Sequence, residues 1–260
     1  MGRLRGASVL VTGASSGIGE ATALAFARQG SRLALCARRL DRLQSVAERC
    51  RAAGAVAVTV RRADVSRRAE AQAFVAGALG DFERVDVLVN NAGFGWRGPL
   101  QDMPPEQVEA LFATNVQGLI WTTQAVLPGM LELNSGVIVN VASVVGFRAA
   151  PYSAVYSASK HAVVGLSHAL RGELSGSGVK VTVVYPGTTD TEFFENETPG
   201  PLMQPASAVA AAIVRAARRP RRDVIMVPYR LAHLAEPLFG GLMDHLIGGF
   251  RRRQGRSARP

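Results

Sequence analysis

Seven short apolar runs punctuate the chain, and helix-length segments separate them. The runs are Ser8 to Val11, Arg32 to Ala37, Ala55 to Val60, Val85 to Val89, Val137 to Val141, Val179 to Val184 and Val224 to Val227. Each is apolar nearly throughout rather than alternating, so each needs cover on both faces. Strands of that kind, separated by helices, build a parallel sheet, because a parallel pair needs a crossover long enough to hold a helix. The helices are expected near 17–29, 40–53, 67–81, 105–131, 152–175 and 205–219. The expected fold class is therefore α/β: a doubly wound parallel sheet of about seven strands with helices on both faces. At 260 residues, a single large domain with a substantial core accounts for residues 1–260. No internal repeat or linker divides it, and Pro199-Gly200-Pro201 marks a loop inside the domain.

The net charge of +10 raises the question of nucleic acid, and its distribution argues against it. Half of the excess sits in the last ten residues, as Arg251, Arg252, Arg253, Arg256 and Arg259. No basic helix is interleaved with stacking aromatics, so no nucleic-acid partner is expected. No apolar run reaches the ~18 residues of a membrane span. The N-terminal residues lead straight into the first run and leave no room for a signal peptide. Two cysteines, Cys36 and Cys50, make no disulfide framework, so a reducing cytoplasm is the expected setting. His161, His168, His233 and His245 lack partners at ligand spacing, and no metal is expected.

The first run leads into Thr12-Gly13-Ala14-Ser15-Ser16-Gly17-Ile18-Gly19 and then into a helix. Gly13 suits a tight turn, Gly17 a close backbone approach to a pyrophosphate, and Gly19 close packing of helix on strand. Phosphates would then sit at a helix N-terminus, where free N–H groups point at them. A flexible turn also carries glycines, so the weight comes from its place between strand and helix at the start of a βαβ unit. The second run ends in Cys36-Ala37-Arg38-Arg39. An enzyme that selects NAD places an acid here for the ribose 2′-hydroxyl; a guanidinium instead suits the 2′-phosphate of NADP(H). The same arginines could equally be surface charges opening a helix.

Tyr156 and Lys160 stand one helical turn apart in Tyr156-Ser157-Ala158-Ser159-Lys160, and Ser143 lies thirteen residues upstream. A phenol normally titrates near 10 and exchanges protons poorly at neutral pH; a fixed cation beside it favours the phenolate. Lys160 is one of two lysines in a chain that otherwise uses arginine. A solvated helix could carry the same pair by coincidence.

Taken together these motifs resemble the short-chain dehydrogenase/reductase family in its compact branch, over roughly residues 5–230. The resemblance implies a Rossmann-type sheet. It assigns Gly13, Ser15, Ser16, Gly17, Ile18 and Gly19 to the cofactor turn, Asp64 and Val65 to the adenine, and Asn90-Asn91-Ala92-Gly93 to the central sheet and cofactor wall. Pro186, Gly187, Thr189 and Thr191 match the segment that grips the nicotinamide carboxamide. Asn115, Ser143, Tyr156 and Lys160 match the catalytic group. On that pattern Tyr156 is the general acid/base, Ser143 orients the substrate oxygen, Lys160 lowers the tyrosine pKa and binds the ribose, and Asn115 links Lys160 to water. Ser16 departs from the NADP-binding subset that has a basic residue there, and Thr189 replaces a common apolar residue. The phosphate grip then falls mainly to Arg38, with Ser15 and Arg39 as helpers and Arg39 turned toward the helix and solvent. A catalytically silent NADP(H)-binding sensor or scaffold is the alternative reading; all four catalytic positions being filled speaks against it.

The substrate segment falls near 188–203, within a helical region 188–219, and carries Phe193, Phe194, Leu202 and Met203. With Phe94, Trp96 and Phe147 it implies an apolar or bulky carbonyl or alcohol; a lid packed on the core would look the same. The resemblance also implies a homodimer or homotetramer paired through the helices near 105–131 and 152–175. In the last segment, near 230–260, Leu231, Leu234, Leu238, Leu242, Leu246 and Phe250 recur at helical spacing before the arginines. That pattern fits a helix capping the cleft or packing on a neighbouring subunit better than a peripheral membrane helix, which Pro237, Glu236 and Asp244 weaken.

Overall fold

The computed structural model describes residues 4–191, 193 and 203–226. Each of the seven apolar runs contributes a strand to one sheet. In chain order the elements begin β1 (Ser8–Thr12), α1 (Gly17–Ala27), β2 (Arg32–Ala37), α2 (Leu40–Ala52), β3 (Ala57–Arg62), α3 (Arg68–Phe82) and β4 (Val87–Asn90). There follow α4 (Pro105–Phe112), α5 (Gly118–Glu132), β5 (Gly136–Val141), α6 (Ala154–Glu173) and β6 (Val179–Tyr185). The last are β7 (Thr189–Asp190), β8 (Gln204–Pro205), α7 (Ala206–Arg218) and β9 (Asp223–Ile225).

The sheet order is β3-β2-β1-β4-β5-β6-β9, with every neighbouring pair parallel. The chain starts in the middle, winds outward through β2 and β3, then crosses back to β4. That reversal between β1 and β4 leaves a crevice at the carboxyl ends of the strands. Alternate residues serve opposite layers, as the two-residue period of a strand requires. Val9 and Val11 pack with Phe26, Leu43 and Ile213 from α1, α2 and α7. Leu10 packs on the other face with Phe74, Met130 and Leu170 from α3, α5 and α6.

Three expectations shift. The third strand starts at Ala57 rather than Ala55, because Gly54 turns the chain at φ +104 and leaves Val56 59% exposed. The helix expected over 105–131 is interrupted: Ala113–Gln117 forms a π turn between α4 and α5. Within the expected substrate region 188–219, α7 packs on α1, while β7 and β8 pair with each other in a separate two-stranded sheet. Phe194, Leu202, His233, His245 and the whole segment 230–260 lie outside the described residues. Among the described residues no helix is long and apolar enough to cross a membrane, and no group of three or more metal-ligating side chains occurs. His161 Nδ1 hydrogen-bonds the Ser157 carbonyl at 2.9 Å, and Cys36 and Cys50 are buried free thiols.

Candidate active site

A cleft of about 1500 Å³ collects nearly all the candidate positions. Gly13, Ser15, Ser16, Gly17 and Ile18 line it from the turn after β1, with Arg38 and Arg39 after β2 and Asp64 and Val65 after β3. Asn91, Ala92, Gly93 and Phe94 line it after β4, with Ser143 and Phe147 after β5 and Tyr156 and Lys160 on α6. Pro186, Gly187, Thr189, Thr191 and Phe193 complete it after β6. Gly19 and Asn115 are not among the lining residues.

The glycine turn is a cradle that side chains would fill. Gly13 has φ +65, and a Cβ there would lie 2.8 Å from the Ala92 Cα. Gly17 has φ +56, and its Cβ would meet the Thr191 methyl at 3.0 Å. At Gly19 a Cβ would fall on the Gly13 carbonyl, so this glycine serves packing, as its place in the motif predicts. The Thr12 hydroxyl accepts from the Asn91 and Ala92 N–H groups, each at 3.0 Å. Asn91 Nδ2 in turn donates to the Thr12 and Gly13 carbonyls at 3.0 and 3.2 Å. The turn after β1 is thereby bolted to the loop after β4. Asp64 Oδ1 accepts from the Ser66 N–H and hydroxyl at 3.0 and 2.7 Å, which fixes the carboxylate at the cleft wall. These residues fit a dinucleotide: an open glycine cradle at the start of α1, with an anchored carboxylate farther along the same cleft.

One arginine departs from expectation. Arg39 is exposed, yet it reaches back over the glycine turn instead of turning away toward α2. Its Nη2 donates to the Ser16 hydroxyl at 2.8 Å, with Ser15 Oγ at 3.5 Å. The backbone at Arg39 is extended (φ −91, ψ 93), which swings the side chain back across the turn before α2 begins. Arg38 is exposed at the rim of the same cleft.

At the other end, α6 presents Tyr156 and Lys160, 6% and 4% exposed. The Lys160 Nζ lies 5.8 Å from the Tyr156 ring centroid and donates to the Val141 carbonyl at 3.0 Å. Burial lowers the Lys160 pKa to about 8, because the interior disfavours the ammonium. The Tyr156 ring packs against Phe193 at 5.5 Å, within an apolar wall that includes Phe94, Trp96, Met103 and Leu111. Ser143 caps the short helical turn Val144–Gly146, accepting from the Val145 N–H at 3.3 Å. Asn115 sits in the π turn. Its Oδ1 accepts from the Phe94 N–H, and its Nδ2 donates to the Phe94 carbonyl and the Ser159 hydroxyl, at 3.0, 3.0 and 3.1 Å. Such single π turns inside helices are frequent at functional sites.

Several residues that shape the site carry no motif signal. Arg97, Gln107 and Arg148 also line the cleft. Ser159 joins Asn115 to α6, its hydroxyl donating to the Tyr156 carbonyl at 2.8 Å. Asn140 is a polar residue inside an otherwise apolar strand, and that interruption is the signal that would have singled it out.

A family model described as short chain dehydrogenase matches residues 7–201. An uncharacterized oxidoreductase of Staphylococcus saprophyticus is 37% identical over 198 residues, covering 75% of this chain and 79% of the relative. The crystal structure of a short chain dehydrogenase/reductase from Burkholderia phymatum, in complex with NAD, superposes with a TM-score of 0.84 at 30% identity, over 94% of this chain and 97% of that one. An alcohol dehydrogenase from the archaeon Thermococcus sibiricus, complexed with 5-hydroxy-NADP, gives 0.79 at 30% identity, over 85% and 95%. The parallel sheet, the glycine cradle at its switch point and these matches lead to one conclusion: the chain belongs to the short chain dehydrogenase family of oxidoreductases.

Proposed function

We propose that the protein is an NADP(H)-dependent oxidoreductase that interconverts a carbonyl and a secondary alcohol, with Tyr156 as the general acid/base. The observation that carries the reading is Tyr156 and Lys160, buried one turn apart in the cleft that also holds the glycine cradle. The cofactor, when bound, supplies or takes up the hydride. Gly13, Ser15, Ser16, Gly17 and Ile18 would hold its phosphates, Asp64 and Val65 its adenine, and Pro186, Gly187, Thr189 and Thr191 its nicotinamide end.

In the reducing direction Tyr156 gives its proton to the substrate oxygen as that oxygen gains charge. The Ser143 hydroxyl orients the same oxygen. The Lys160 ammonium stabilises the phenolate that remains, an interaction strengthened by their burial. Asn115 holds the π turn and the Phe94 backbone in place behind the pair. Phe94, Trp96, Phe147 and Phe193 favour an apolar or bulky substrate by excluding water from the reacting end.

The choice of NADP(H) rests on Ala37-Arg38-Arg39 after β2, where an acid selective for NAD is absent and two guanidinium groups border the cleft. Relatives of both cofactor types exist, one solved with NAD and one with 5-hydroxy-NADP. The reading places a homodimer or homotetramer in the cytoplasm. The test follows NADPH and NADH oxidation against a panel of ketones, aldehydes, quinones and β-ketoacyl thioesters. Turnover with NADPH on a member of the panel, lost in Tyr156→Phe, supports it. Tight NADPH binding with no turnover on any member would point to a sensor or scaffold instead.

A further inference from the structure

Beneath the cleft a chain of buried polar side chains crosses the sheet. The Thr122 hydroxyl donates to Asn90 Oδ1 at 2.7 Å. Asn90 Nδ2 donates to the Thr123 hydroxyl at 3.0 Å and to Asn140 Oδ1 at 2.9 Å. Asn140 Nδ2 donates to the Ser167 hydroxyl at 2.9 Å, and Ser167 donates to the Val163 carbonyl at 2.6 Å. Asn140 and Ser167 are fully buried. Asn90 and Asn140 are direct partners in the β4–β5 register, so the chain runs straight from α5 through two strands to α6.

Its far end meets the candidate chemistry. Tyr156, Lys160, Val163 and Ser167 are spaced four, three and four residues apart, which makes one stripe along α6. Two polar groups on that stripe reach two consecutive residues of β5: Ser167 takes the Asn140 amide, and Lys160 donates to the Val141 carbonyl. Apolar contact alone is non-directional and lets a helix slide or roll on a sheet. A hydrogen bond inside a dry interface is directional, and breaking it strands a buried donor.

We propose that Asn140 and Ser167 are positioning residues: their hydrogen bond fixes the height and rotation of α6 on β5 and so holds Lys160 at the Val141 carbonyl. Asn90, Thr122 and Thr123 hold Asn140 in turn. The proposal rests on the reading of Lys160 as the partner of Tyr156.

Lys160 and Lys180 are the two lysines of the chain, and Lys180 is exposed. Labelling with [13C]lysine therefore gives two resonances, one of them an internal control. The titration is read on cofactor-free protein, so it does not depend on turnover. Wild-type Lys160 is expected to titrate near about 8. Ser167→Ala removes no charge and little volume. It strands the Asn140 amide, frees α6 and lets water reach the ammonium. Its Lys160 midpoint is expected to rise by about one unit or more, a tenfold change in proton affinity. Asn140→Ser should act alike, and Lys180 should stay put in both. Val163→Ala loosens the same stripe without touching the pair and should leave the Lys160 midpoint in place. An unmoved midpoint in folded Ser167→Ala overturns the proposal, as does an equal shift in Val163→Ala. If Asn140→Ser does not fold, Ser167→Ala decides alone. A shifted midpoint alongside full turnover in Tyr156→Phe would uphold the positioning and refute the proton-transfer role.

Discussion

Arg39 and Ser16 lie 23 residues apart in sequence and 2.8 Å apart in space, guanidinium on hydroxyl across the mouth of the glycine turn. This places a cation beside the hydroxyls of the turn, with Arg38 on the same rim. A 2′-phosphate arriving there would meet both guanidinium groups. Hydrogen bonds to charged groups contribute about 1.5–3 kcal/mol, and the exposure of both arginines puts the expectation near the lower end. Arg38→Ala and Arg39→Ala should each weaken NADPH roughly tenfold and change NADH little. Dissociation constants for both cofactors in wild type and the two variants check this. Equal losses for NADPH and NADH would make the arginines structural, and a wild type that prefers NADH would refute the assignment of the cofactor.

Tyr156→Phe removes one hydroxyl and keeps the ring against Phe193. Turnover should fall by roughly 10² to 10⁴, the usual worth of a positioned acid/base. Cofactor affinity should remain within a few-fold, since the ring and Lys160 stay in place. Stopped-flow turnover and fluorescence titration of NADPH, measured on one preparation, separate the two.

Gly17→Ala tests the cradle. The position has φ +56, which strains any other residue, and the added methyl would press on the Thr191 side chain at 3.0 Å. Thr191 belongs to the segment after β6, so the substitution wedges apart the two walls of the cofactor end. The expected result is a loss of NADPH and NADH affinity together, by tenfold or more on an order-of-magnitude scale, with a lowered melting temperature. Selective loss of one cofactor would contradict it.

What sequence could and could not disclose follows from the forces involved. The sheet was legible because strands buried on both faces leave uninterrupted apolar runs, and such runs from Ser8 to Val11 and from Val179 to Val184 all but coincide with β1 and β6. The cradle was legible because only glycine tolerates the approach of Ala92 and the positive φ at residues 13 and 17. The π turn was not. Residues 105–131 read as one helix because the extra residue is accommodated through tertiary bonds, from Asn115 to Phe94 and Ser159, which leave no local periodicity. The direction of Arg39 was hidden for a similar reason: it depends on the extended backbone of a helix N-cap, whereas spacing alone suggested a residue already turning into α2.

The last prediction concerns pH. Burial lowers Lys160 from 10.5 in the unfolded chain to about 8 in the folded one. Below about pH 8 both states hold the proton, and the folded state bears the full cost of a buried ammonium. Between about 8 and 10.5 the unfolded chain binds more protons than the folded one, so stability rises with pH through that window. Above 10.5 the contribution is constant. The drop from 10.5 to about 8 corresponds to roughly 3 kcal/mol on an order-of-magnitude scale. Lys160→Met lacks the titration. The difference in unfolding free energy between wild type and Lys160→Met, from urea titrations of cofactor-free protein, should therefore climb in favour of wild type from about pH 8 and level off near 10.5. Activity should run the opposite way, because the ammonium that favours the Tyr156 phenolate is lost as pH passes about 8. A stability difference flat across the window would mean that Lys160 keeps its ordinary pKa, and the cation beside Tyr156 would then persist well into alkaline solution.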